Sequence, residues 1–253
     1  MFSFKLTMDT VVKFTSISQG KDRVFSATQF ACALSTHLLR SNSQRKQLVA
    51  KLKTVEANIS AGRKLLKLGN AVNSVEAAKR SLRLSDRVLC LCLTAANINR
   101  ALSLICDNVL WARSVGLIRD INQESWSLTS SRCYFLAVIM NVTRDLYVVL
   151  QLMMQKAKDK DFRRKMSLHL SENPEVAEVV IPQLDAFLFL LFESLKSHPA
   201  VALDTLKNVC DLFSPLDRLG IYPSNAGVVA FCGLVSSLIG IVTIAKPTLN
   251  IKP

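Results

Sequence analysis

The chain has 253 residues, half of them hydrophobic, and Lys plus Arg exceed Asp plus Glu by 13. Only eight glycines and seven prolines punctuate it, and no Asn-Gly or Asp-Gly pair marks a hairpin. This excludes a disordered chain, argues against a fold of many short strands, and predicts long helices. A basic excess on so apolar a chain points to a membrane surface or a nucleic acid as partner.

In chain order, Ile17, Val24, Ala31 and Leu38 recur at sevens with Phe14, Phe25 and Leu34 beside them. The spacing predicts an amphipathic helix over 9–40, interrupted at Gly20, with Ser41-Asn42-Ser43 as a break. A second helix is expected over 44–68, stopped by Gly69-Asn70. Its stripe is Leu48, Leu52, Val55, Ile59, Gly62 and Leu66, at alternating spacings of four and three. Its flanks and back carry Arg45, Lys46, Lys51, Lys53, Arg63, Lys64 and Lys67, against Glu56 alone. Such a stripe either inserts into one membrane leaflet or packs on the first helix.

Asn73-x-x-Glu76 has the form of a capping box and predicts a third helix, basic at first and apolar over 88–106. That stretch is borderline for a membrane span: it has the length, but Arg100 lies inside it. Arg100 is either an intramembrane charge with a partner or part of a buried bundle helix. Residues 134–154 are apolar too, but contain Arg144-Asp145, which suggests a core or membrane-surface helix and not a span. Residues 156–165 read as a solvated loop. Further helices are expected from Pro182, and from Pro199 to an end imposed by Pro215 near Phe213. Ala226–Ala245 holds no charge across 20 residues, the clearest transmembrane helix in the chain. Within it Gly233, Ser236, Ser237 and Gly240 set small residues four apart, a spacing that lets helices pack closely in a bilayer.

The expected fold is therefore all-α, a helical membrane protein with N-terminal amphipathic helices and a C-terminal transmembrane helix. It divides into a basic region (1–87), a candidate first span (88–106), a helical intervening region (107–225), the terminal span (226–245) and a short tail (246–253). Residues 1–89 carry sixteen basic and five acidic residues, so the basic part is expected to stay on the cytosolic side. One span or two remain open, and with them the side on which the C-terminus lies.

Chemistry is sparse. No phosphate-binding glycine loop, nucleophile elbow or H-E-x-x-H motif occurs. His37, His169 and His198 have no partner at ligand or triad spacing. Seven cysteines, an odd number without a C-x-x-C pair, are expected to be reduced and to serve as small apolar side chains. Neither an enzyme nor a cofactor is expected. A nucleic acid is disfavoured too, because no aromatics interleave with the basic residues and an apolar tail is present.

Several strings resemble the peroxisomal membrane protein 11 (peroxin-11) family. They are Gly62-Arg63-Lys64-Leu65-Leu66-Lys67-Leu68-Gly69-Asn70, Asn99-Arg100-Ala101, Cys106-Asp107-Asn108-Val109-Leu110-Trp111 and Pro215-Leu216-Asp217-Arg218-Leu219-Gly220. Arg113-Ser114-Val115-Gly116-Leu117 is most similar to the vertebrate alpha type. The resemblance implies a multi-pass protein of the peroxisomal membrane with both termini cytosolic. It further implies a protein that elongates and proliferates peroxisomes, self-associates, and acts upstream of fission adaptors and a dynamin-related GTPase. The second helix would supply the mechanism, its stripe entering the cytosolic leaflet and its basic residues meeting anionic phospholipid headgroups. The alternative is a membrane-anchored scaffold that recruits division or transport factors without itself bending the membrane.

Overall fold

The computed structural model describes residues 2–40, 45–159 and 182–249, and among these every regular element is helical. The helices are α1 (Phe2–Leu39), α2 (Lys46–Leu66), α3 (Asn70–Ser81), α4 (Arg87–Ser114), α5 (Gln123–Ala157), α6 (Pro182–Ser197), α7 (Pro199–Arg218) and α8 (Ala226–Ala245), followed by a 3₁₀ turn at Pro247–Leu249. The Ser41-Asn42-Ser43 break, His169 and most of the 156–165 loop lie outside the described residues.

Local chemistry explains the boundaries. Gly69 takes φ 81° at the joint between α2 and α3, a left-handed conformation that costs other residues about 1–2 kcal/mol. Gly220 does the same after α7 (φ 68°), where Ile221 N–H reaches back to the Leu216 carbonyl at 3.1 Å. Three helix starts use a side-chain cap. Asp86 accepts from Val88 and Leu89 N–H, Asn122 from Ser125 N–H, and Asn225 from Gly227 N–H, at 2.8–3.2 Å.

Several sequence expectations need correction. Gly20 does not break α1; no neighbour lies within 4 Å of its Cβ position, and a single glycine costs only about 1 kcal/mol in a long helix. The Asn73 box does not open α3, which starts at Asn70 with no side-chain cap. The basic turns and the apolar stretch are not one helix. Ser85-Asp86 interrupts them because the Asp86 carboxylate captures the first free N–H groups of α4. Pro215 sits in the last turn of α7, which continues to Arg218; so near the C-terminus a proline forfeits one hydrogen bond without ending the helix.

The packing forms a ring. α1 lies on α8, α8 on α7, α7 on α5, α5 on α4, and α2 bridges α1 to α4; α3 covers α4 and α6 packs against α5 and α7. The polarity of this ring is inverted relative to a water-soluble bundle. Asp145, Ser194, Ser236 and Ser237 are each 1% exposed, whereas Leu91 is 66%, Phe231 57% and Leu238 50% exposed. The apolar heptad of α1 follows suit, since Val24 and Leu38 are exposed and Ser26 is buried. Large apolar side chains outside and small polar ones inside are what a hydrocarbon solvent selects, because water no longer drives leucine inward.

Among the described residues three helices, α4, α5 and α8, are long and apolar enough to cross a membrane. The α6–α7 pair, bent by 108° at His198, would make a fourth if it is one broken span. Among the described residues the candidate spans therefore number three or four where the sequence left one or two open, and α5 joins them although Arg144-Asp145 argued against it. All seven cysteines are free thiols, and Cys92, Cys106, Cys210 and Cys232 are buried.

Candidate membrane-active surface and internal cavity

Helix α2 runs along α1 with none of its residues buried. Its stripe splits lengthwise. Leu52, Ile59 and Leu66 are half-buried, whereas Leu48, Val55 and Gly62 are exposed, at 45% for Leu48 and 44% for Val55. At ~100° per residue the two rows lie about 40° apart, so one turns toward the bundle while its neighbour stays free. Leu65, outside the predicted stripe, extends the free edge.

The basic residues also divide. Arg45, Lys46, Lys51, Lys53 and Lys64 are exposed. Arg63 instead turns to α1, where its Nε donates to Asp22 at 2.9 Å and its Nη1 to Gln29 at 2.7 Å. Lys67 approaches Asp107 of α4 at 3.7 Å. Burial pulls the Lys67 pKa below its ordinary value, and the nearby Asp107 carboxylate offsets part of that shift. These two cations therefore hold α2 to the bundle and do not belong to its exposed face.

Arg63 and Lys67 border a cavity of about 290 Å³ inside the ring. Arg100 lies there as well, its guanidinium 5.0 Å from the centroid of the Tyr134 ring on α5. The intramembrane charge of the sequence reading thus faces the bundle interior and has an aromatic partner.

The small residues of α8 form an intramolecular seam. A Cβ at Gly233 would come within 2.5 Å of the Phe30 ring, and one at Gly240 within 3.0 Å of the Arg23 stem. The Ser237 hydroxyl meets that of Ser26 at 2.8 Å, while Ser236 donates to Asp211 of α7 at 2.5 Å. Gly233, Ser237 and Gly240 thus face α1, and Ser236 faces α7.

Sequence reasoning missed a charged cluster between α5 and α7. Arg144 bonds both its neighbour Asp145 and Asp204, Lys207 bonds Asp204, and Asn208 Nδ2 donates to Asp145 at 2.6 Å. Two cations and two carboxylates leave no net charge, so α5 can lie in hydrocarbon despite Arg144-Asp145. The signal was present in the sequence: Asp204 and Asn208 lie four apart on one face of α7.

Comparison with known proteins places the chain. The family model described as peroxisomal biogenesis factor 11 matches residues 8–245. Peroxisomal membrane protein 11A of Rattus norvegicus is 46% identical over 97% of this chain and 99% of its own length. The 11A protein of Homo sapiens is 43% identical over 97% and 99%, and the 11B protein of Bos taurus 40% identical over 97% and 100%. No solved structure matches. Matched over nearly its whole length and built as an inside-out helical ring, the chain belongs to the peroxisomal biogenesis factor 11 family and is a multi-pass protein of the peroxisomal membrane.

Proposed function

We propose that this protein elongates and proliferates peroxisomes by entering the cytosolic leaflet with the free edge of α2. The observation that carries this reading is the lengthwise split of the stripe. Leu52 and Ile59 are half-buried on a helix that packs along α1, while Leu48 and Val55 stay exposed, and no residue of the helix is fully buried. The helix can therefore remain docked and still present apolar side chains to lipid. The five exposed cations would each contribute about 1 kcal/mol at an anionic surface. Leu48 and Val55 would each add up to about 1.5–3 kcal/mol, less when only partly inserted. Wedging side chains into one leaflet expands it relative to the other and bends the bilayer.

The membrane helices concentrate α2 at the surface, so weak insertion suffices. Self-association would align the wedges along a tubule, upstream of the fission adaptors and the dynamin-related GTPase. The role is structural: it requires no cofactor, no nucleic acid and no catalysed reaction. With both termini cytosolic, the number of crossings is even, which makes the bent α6–α7 pair the fourth. A peptide of residues 43–70 tests the insertion step. It should be disordered in buffer and become helical on vesicles containing anionic phospholipid, and its binding should weaken as salt rises. A peptide indifferent to such vesicles would refute the leaflet wedge.

A further inference from the structure

The cavity inside the ring has a composition that neither a bundle core nor a lipid-facing surface explains. Six cations line it: Arg23, Arg63, Lys64, Lys67, Arg100 and Arg218. Only three carboxylates oppose them, those of Asp22, Asp107 and Asp211, leaving an excess of three positive charges. Asp22 is taken by Arg63, Asp107 lies near Lys67, and Asp211 accepts the Ser236 hydroxyl. Among the described residues Arg23, Arg100 and Arg218 form no ion pair with a carboxylate. Arg218 is exposed and Arg100 has only the neutral Tyr134 ring against its guanidinium, and a half-buried guanidinium without a carboxylate, as at Arg23 and Arg100, is costly within a membrane protein unless an anion or water meets it.

We propose that this cavity binds a phosphate monoester group. A monoester carries close to two negative charges at neutral pH and three acceptor oxygens, which suits paired arginine forks better than a single carboxylate does. The hydroxyls of Ser26 and Ser214 also line the cavity, and its wall is more polar than apolar, which suits a charged group better than an acyl chain or a steroid. Exposed Lys64 and Arg218 mark the mouth, and half-buried Arg23 and Arg100 lie deeper. The group could belong to the headgroup of a lipid or to a soluble metabolite. Six helices (α1, α2, α4, α5, α7 and α8) contribute lining residues, so occupancy cross-braces the ring and raises its stability by mass action. The site stands whether or not α2 enters a leaflet.

The test is thermal unfolding of the full-length protein in detergent, titrated separately with glycerol 3-phosphate and with dioctanoyl phosphatidic acid. Glycerol and dioctanoylglycerol serve as uncharged controls. Stabilisation by both phosphates assigns the site to the phosphate group alone, and stabilisation by phosphatidic acid only assigns it to a lipid headgroup; either supports the proposal. Arg100→Gln should abolish the shift, and Arg218→Gln, at the exposed mouth where folding is not at stake, should weaken binding about tenfold. Lys79→Gln, which removes an exposed charge remote from the cavity, should leave it unchanged. The proposal is overturned if neither phosphate stabilises beyond its uncharged control. It is equally overturned if the shift survives intact in Arg218→Gln, or falls as much in Lys79→Gln.

Discussion

Asp145 is 1% exposed, and its two oxygens are held by Arg144 and by Asn208. Removing one member of a buried, hydrogen-bonded charge pair strands the other, at a cost of about 3–5 kcal/mol. Asp145→Ala should therefore lower the unfolding midpoint in detergent markedly, and Asn208→Ala, which removes a neutral donor, should lower it less. Asp86 works differently. The N–H groups of Leu89 and Val88 and the Tyr147 hydroxyl hold its carboxylate below the usual carboxylate range. A depressed folded pKa means that the cap's contribution is whole above about pH 4, the unfolded value, and is lost as pH falls through the lower folded value. The protection of the amides in the first turn of α4, relative to their intrinsic exchange rate, should therefore hold down to about pH 4 and fall below it. In Asp86→Ala the same turn should lack protection, relative to the intrinsic exchange rate, at every pH.

At the scale of elements, α1 and α8 run antiparallel, with Arg23, Phe30 and His37 stacked one heptad apart against Gly240, Gly233 and Gly227. The seam depends on the missing Cβ at Gly233. Gly233→Ala should cost about 1–3 kcal/mol through overpacking against Phe30. Phe30→Leu should recover part of that loss, so a double-mutant cycle on the melting midpoint should give a clear coupling energy; independent effects would mean that the seam does not form. This pair also shows what the sequence made legible. The length, charge-free run and small-residue spacing of α8 could be read directly, because a single helix displays them. The face of α1 that meets α8 could not. Its heptad, with Val24 and Leu38, marks an apolar stripe but not a partner, and the contact is made by Arg23, Ser26, Phe30 and His37. The same inversion hid α5, since Arg144-Asp145 reads as an obstacle until Asp204 and Lys207 arrive from another helix. In α2 the stripe was visible, but its division was not, because only α1 decides which row is covered. Arg63 likewise looked like a headgroup ligand until Asp22 and Gln29, distant in sequence, claimed it.

For the whole molecule, the helical ring would anchor the chain in the membrane while α2 would act on the leaflet, as proposed. Four crossings require both ends on one side. Protease treatment of sealed organelles should therefore remove tags at the N- and C-termini alike, and a protected C-terminal tag would reduce the crossings to three. The central claim is that the outer row of α2 bends the membrane while its inner row keeps it docked. The most direct measurement is organelle length in cells expressing full-length Leu48→Glu/Val55→Glu in place of the parent protein. Both positions are exposed, so the variant should fold, accumulate and reach the peroxisomal membrane normally. The account predicts that it no longer elongates the organelle; tubules as long as those made by the parent, from a correctly localised variant at equal abundance, would contradict it.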